Sequence, residues 1–187
     1  ANHNVSLPAI VLAAGSISGS GTTSLSSTGP FDFRSGTVGV PLTGTSALNK
    51  TTADTVTMTA ANSTYSGGTN IGVNGTGTRI GVIRAAATQS LGTGTILIGI
   101  GGNDATARLE LENNISLDNP ITMAARNNTS VAIQNVSGNN TLSGTLGITA
   151  GGVSNTIQSD SGTLTFSGIS AITNETAVAR IVTFQGE

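Results

Sequence analysis

A chain of 187 residues with 9% charged residues, a net charge of −2 and no cysteine cannot rely on disulfides, thiolate catalysis or Cys-type metal sites. Its seven lysines and arginines and near-absence of aromatic residues also argue against a nucleic-acid surface. The length suffices for one buried core. Soluble domains usually carry roughly 25% charge, so this surface must be hydrated by hydroxyls and amides. Hydrophobic residues make up 36% and fall in alternation, which favours ordered β structure over disorder.

In chain order, the run from Val5 to Ala14 is too short to span a bilayer, lacks a preceding basic region and contains Pro8, so it reads as a buried strand. Short β-patterned segments bounded by Gly, Asn or Asp follow at 16–20, 31–34, 37–42, 55–59, 78–84, 95–98, 107–111, 121–124, 130–133, 145–149, 156–158, 163–166 and 179–184. Helical pattern is almost absent; its longest candidate, 84–90, is stopped by Gly92. Such a series fits a sandwich, a barrel or a solenoid.

Three features favour the solenoid. Several strands are nearly continuously apolar, as in Ile96-Leu97-Ile98 and Val131-Ala132-Ile133. Asparagine pairs recur between strands, at Asn113-Asn114, Asn127-Asn128 and Asn139-Asn140, where stacked amides can form ladders. The phrase Gly-Thr-Leu/Ile/Val recurs at Gly36, Gly94, Gly144 and Gly162, as if one structural position were reused. At roughly 20 to 25 residues per coil, the chain makes about eight coils, or a rod some 40 Å long at about 4.8 Å per coil.

The stretch Leu48-Asn49-Lys50-Thr51, Thr55-Val56-Thr57-Met58, Asn62-Ser63-Thr64-Tyr65-Ser66-Gly67-Gly68-Thr69, an apolar strand, then Leu91-Gly92-Thr93-Gly94 resembles the autotransporter-associated β-strand repeat of large bacterial surface proteins. The specific match covers residues 47–98 and a looser one 31–168, within a single segment, 1–187. Met58 and Ser66 stand where the family more often has Leu and Thr, and the loop 71–77 is longer than usual, so it is expected to project. The resemblance implies an all-β, right-handed parallel β-helix with little or no helix, secreted or at the bacterial cell surface. Its core would hold Ile80, Val82, Ile96, Ile98, Leu109, Leu111, Ile121, Val131 and Ile133, with Gly67 and Gly68 at a corner.

Chemistry is scarce in this sequence. His3 is the only histidine and has no partner nearby in sequence. The only concentration of charge is 104–112, where Arg108, Glu110 and Glu112 alternate with apolar residues; they read as a solvated outer face with an i,i+2 ion pair of little worth. The competing reading is a carboxylate pair drawn from Asp104, Glu110 and Glu112 for calcium or for polysaccharide cleavage, which needs two acids together. Gly101-Gly102-Asn103-Asp104 is similar to a calcium β-roll turn, but it occurs once where such sites need tandem copies. Gly67-Gly68 and Gly75-Thr76-Gly77 lack the lysine and helix of a phosphate loop. Sequons such as those at Asn62, Asn114 and Asn128 are what composition alone supplies.

The sequence therefore leads to a structural, non-enzymatic module with no catalytic, cofactor-binding or metal-binding residues. It would self-associate end to end or adjoin further repeats, with extracellular matrix or glycans as other partners, and without membrane insertion. A threonine face such as Thr55, Thr57 and Thr59 suggests ice binding as the alternative, provided the row recurs in every coil; glycan adhesion is the other, although such sites usually use exposed aromatics and Tyr65 is nearly alone.

Overall fold

The computed structural model describes residues 4–73, 79–167, 172–174 and 177–186. Within them every paired strand is parallel to its neighbours, and the chain winds as a β-solenoid with no helix. Six of the rungs place strands on three faces in turn, and the two middle rungs place them on the second and third faces alone. The first holds β1 (Asn4–Leu7), β4 (Ser24–Ser27) and β7 (Leu42–Thr43), and further along the rod β14 (Ser116–Leu117), β17 (Asn140–Leu142) and β20 (Leu164–Phe166). The second is an eight-stranded sheet of β2 (Ile10–Leu12), β5 (Phe31–Phe33), β8 (Leu48–Lys50), β10 (Thr69–Ile71), β12 (Ile96–Ile98), β15 (Ile121–Ala124), β18 (Leu146–Thr149) and β21 (Ile172–Asn174). The third is also eight-stranded, with β3 (Ser16–Ser18), β6 (Gly36–Gly39), β9 (Thr55–Met58), β11 (Val82–Ala85), β13 (Arg108–Leu111), β16 (Val131–Asn135), β19 (Ser154–Ser159) and β22 (Ile181–Gly186). Eight rungs result, with 17 residues between the registered partners Phe31 and Leu48 and 27 between Thr69 and Ile96.

Alternation of one inward and one outward residue makes the core. On the second face the inward column runs Ile10, Phe31, Leu48, Thr69, Ile96, Ile121, Leu146, Ile172. On the third it runs Gly36, Val56, Ile83, Leu109, Ile133, Ile157, Phe184. Three of the few aromatic residues gather inside: Phe31 lies 5.7 Å from Phe33 and 6.0 Å from Tyr65, ring centre to ring centre. The Tyr65 hydroxyl shares a 2.5 Å hydrogen bond with Thr69 Oγ1, and burial pushes the phenol's pKa up.

Ile96, Ile98, Leu109, Leu111, Ile121 and Ile133 lie in the core as expected. Val82 and Val131 do not, because the inward residues of their strands are Ile83 with Ala85 and Ala132 with Ile133. A register shift between Val131 and Ile133 turns Val131 outward. Ile80 is only half-buried, in the loop before β11. The run 5–14 breaks at Pro8 into two strands, and Val5 and Leu7 are exposed while Ile10 and Leu12 are buried. The expected strand 37–42 ends at Gly39. Strands of two to four residues rich in Ser, Thr and Asn, such as β4, β8, β14 and β17, carry too little pattern to be seen in the sequence.

Corners are set by close approach. Two positions before the second-face strands stand Gly29, Ser46, Gly67, Gly94, Asn119 and Gly144, one above the other. A Cβ on Gly144 would lie 2.0 Å from the Asn119 carbonyl oxygen, so the column admits little side chain there. Ser46 and Asn119 are the exceptions, and the buried Asn119 amide donates to the carbonyls of Leu91, Gly92 and Gly94 in the rung below. Of the four Gly-Thr phrases only those at Gly94 and Gly144 share this corner; Gly36 opens a third-face strand and Gly162 precedes a first-face one. At the corner before the first face, Asn114, Gly138 and Gly162 all have positive φ, at 59°, 83° and 81°. The Asn114 and Asn139 side chains there accept from the backbone N–H of Asn139 and Thr163, so each amide binds the next rung's backbone. A direct amide ladder occurs elsewhere, where Asn70 Nδ2 donates to Asn49 Oδ1 at 2.8 Å.

The corner clash has a measurable consequence. Gly144→Val should cost about 2–3 kcal/mol by overpacking, seen as a thermal midpoint lower by about 5–10 °C; an unchanged midpoint would refute the close-packed corner.

Candidate functional site

The outward side of the third face carries a continuous polar column. Registered partners in successive rungs are Ser16, Thr37, Thr57, Arg84, Glu110, Gln134, Gln158 and Gln185. Each is outward because its sequence neighbours occupy the inward columns described above. The rod therefore stacks these side chains about 4.8 Å apart, close enough for neighbours in the column to satisfy one another.

Charge concentrates at the middle. Arg84 lies beside Glu110 in the adjacent strand, with Nε and Nη2 at 2.8 and 2.7 Å from Oε2. Arg108, two residues before Glu110, reaches Oε1 with Nε at 2.9 Å and Nη2 at 2.5 Å. Both carboxylate oxygens are thus engaged, and the Glu110 side chain is only 4% exposed while each arginine is 33% exposed. Glu112 sits 3.8 Å from Arg84 at the rim. Sequence reasoning placed Arg108, Glu110 and Glu112 on one outer face correctly, but the expected solvated i,i+2 pair is instead a buried carboxylate clamped between rungs. Arg84 was missed as its partner, because nothing in the sequence reports a pairing across 26 residues. Asp104 is not part of the cluster; it is exposed in the loop before β13.

Toward the later rungs the column becomes amide and carboxylate. Asp160 Oδ2 accepts from Gln134 Nε2 at 2.5 Å, Asp160 Oδ1 accepts from Gln158, and Gln158 accepts from Gln185. Toward the earlier rungs it becomes hydroxyl. Thr55 and Thr57 face outward, followed by exposed Thr59, but the next rung presents Val82, Arg84 and Ala86, so the threonine row does not recur. Tyr65, the single tyrosine, is fully buried.

Two cations lie inside the rod. Lys50 shares the inward side of β8 with Leu48 and has no exposed surface; its Nζ donates to the Thr52 carbonyl and, at 2.9 Å, to Thr52 Oγ1. Loss of water lowers its pKa to about 8, against the raising influence of Asp54 and Asp32. Arg126 is fully buried and donates to the carbonyls of Ala107 at 2.5 Å, Val131 at 3.2 Å and Ser130 at 3.3 Å. Burial, reinforced by Arg108, lowers its pKa to about 10. The position of Lys50 two residues after Leu48 is the signal that could have revealed its inward direction.

Among the described residues no three His, Asp or Glu side chains come together as metal ligands, and no helix is long and apolar enough to cross a membrane. A hollow of about 340 Å³ near β10 is lined by Asn70, Val73, Arg79, Leu97 and Ile100 among others, and none of its lining groups is a carboxylate, an imidazole or a thiol. His3 and Gly75-Thr76-Gly77 lie outside the described residues, as does most of the loop expected to project.

Two outcomes are expected. Glu110→Gln removes the charge that neutralises two arginines and should cost on the order of 2 kcal/mol in a melting experiment, whereas Glu112→Gln should change stability by under about 0.5 kcal/mol. Equal effects would sink the clamp. For Lys50, the folded pKa lies below the unfolded value of 10.5, so between about pH 8 and 10.5 the unfolded chain holds more protons and stability rises with pH. Below that window the full penalty applies, so Lys50→Met should raise stability at pH 7 by about 1–2 kcal/mol and flatten the rise between pH 8 and 10.5. A variant that is less stable at pH 7 contradicts this.

Compared with protein-family models, with curated proteins and with solved structures, the chain found no match.

Proposed function

We propose that this β-solenoid is a structural, non-enzymatic module of a secreted or cell-surface bacterial protein, acting as part of a fibre, stalk or adhesin-like array. The observation that carries the reading is how the polar column is used. The carboxylates in and beside it are taken up by neighbouring side chains, with both oxygens of Glu110 engaged by Arg84 and Arg108 and both of Asp160 by Gln134 and Gln158. A hydrolytic pair needs an acid and a base held ready for substrate, and Glu110 in its clamp is not ready. The similarity of residues 47–98 to the autotransporter-associated repeat supports the same reading and motivates the bacterial surface location. A glycan- or ice-binding face gains little support from a buried Tyr65 and a threonine row confined to the early rungs.

Protease shaving of intact source cells, with mass spectrometry of the released peptides, tests the location. Peptides of this chain are expected in the shaved fraction; their recovery only after lysis would refute a surface role. In parallel, the purified chain incubated with bacterial and plant polysaccharides should release no reducing ends, and turnover abolished by Glu110→Gln would replace the structural reading with an enzymatic one.

A further inference from the structure

Composition accounts for the Asn-x-Ser/Thr triplets of this chain, but the fold does not treat them alike. Asn62-Ser63-Thr64 and Asn114-Ile115-Ser116 share one geometry. Both asparagines are exposed and sit at bends with the same left-handed backbone, φ 59° in each. The middle residue turns inward, Ser63 at 2% and Ile115 at 4% exposure, so the amide and the hydroxyl two residues on share the outward side. Both triplets belong to the first face: the Thr64 N–H donates to the Leu42 carbonyl of β7 at 2.8 Å, and Ser116 opens β14. One segment lies between them, since the Asn62 N–H donates to the Thr88 carbonyl and the Gln89 N–H to that of Ser116, each at 3.3 Å. The two triplets are therefore two rungs, or about 10 Å, apart.

Elsewhere the amide of such a triplet is spent. Asn128 donates to the Ala105 carbonyl and accepts from the Ser130 N–H, and Asn135 is buried, donating to the carbonyls of Gly138 and Ser161. Asn114 instead uses Oδ1, which accepts from the Asn139 N–H at 2.9 Å and holds the amide with Nδ2 toward solvent. We propose that Asn62 and Asn114 are acceptors for N-linked sugars, with the hydroxyls of Thr64 and Ser116 as the second element a transferase reads. In the transfer, Nδ2 bonds to C1 of a sugar carried on a diphosphate. The bond from C1 to the carrier oxygen breaks, the diphosphate leaves with its electron pair, and one Nδ2 proton passes to the transferase. At two-rung spacing both sugars fit side by side. Asn139-Asn140-Thr141 does not add a third, because Thr141 pairs with Ser116 in the adjacent strand and the triplet lies only about 4.8 Å from Asn114. Sugars there would hydrate a surface that has 9% charged residues to do so. The inference builds on the surface reading above and adds a modification to it.

Trypsin separates the two sites in the denatured chain purified from its source cells, since cleavage after Lys50, Arg79, Arg108 and Arg126 puts Asn62 and Asn114 on different peptides. Mass spectrometry with fragmentation that keeps sugars attached should find a sugar on each, and none on Asn128 or Asn135. Ser116→Ala, expressed in the same cells, should fold unchanged because the hydroxyl is outward and half-buried. It should lose the sugar at Asn114 and keep the one at Asn62, whereas Ser116→Thr should keep both. Either peptide found only bare, an equal load on Asn128, or a Ser116→Ala chain still modified at Asn114 would overturn the proposal. Surface shaving reads location separately. A bare chain released from intact cells sinks this inference alone, and a sugar-bearing chain released only by lysis sinks the surface reading alone.

Discussion

Everything in this molecule depends on the parallel register between rungs. Once each strand is hydrogen-bonded to the strand one coil away, a residue's neighbours are fixed by its column rather than by its sequence surroundings. A one-residue slip would turn every inward side chain of that strand outward. The core is therefore a set of one-dimensional stacks, and each stack has its own tolerance. The Ile83, Leu109, Ile133, Ile157 stack accepts branched aliphatics, while the corner column through Gly94 and Gly144 accepts almost nothing.

The same constraint explains the buried polar groups. In a globular core, Lys50 and Arg126 would need carboxylate partners. Here the corners present several backbone carbonyls to the interior, and these serve as acceptors: Thr52 for Lys50, and Ala107, Ser130 and Val131 for Arg126. Asn119 and Asn135 use the same resource with neutral amides. The two cations still bear a desolvation cost, visible in their lowered pKa values. The interior is thus a hydrocarbon column bounded by hydrogen-bonded corners. The exterior reverses the arrangement, since outward polar groups find partners in the next rung rather than in solvent.

The fold class was legible because alternation and corner residues are local signals. Short β segments, recurrent glycines and paired asparagines all survive in the string, and they correspond to real strands and real bends at Gly67, Gly68 and Asn114. What was not legible depends on which residue of a pair faces inward. Val82 and Ile83 are equally apolar, and only the registry with Val56 and Leu109 selects Ile83. Val131 is displaced by an irregularity that sequence does not announce. The charged cluster was half visible, since Glu110 and Arg108 lie on one strand while Arg84 comes from another rung. Tyr65 gave no sign of burial, because its place beside Phe31 is created by the stacking of two coils.

Rung length varies from 17 to 27 residues, yet the strands stay in register. Between the second and third faces the connections are short in most rungs and longest in two successive ones, from Ile71 to Val82 and from Ile98 to Arg108. Extra chain there leaves the parallel register of the flanking strands unchanged, since a loop's closure cost grows only slowly with its length. That corner is where such a scaffold can acquire or lose surface features by insertion and deletion, and where a foreign peptide could be displayed while the architecture beneath it remains intact.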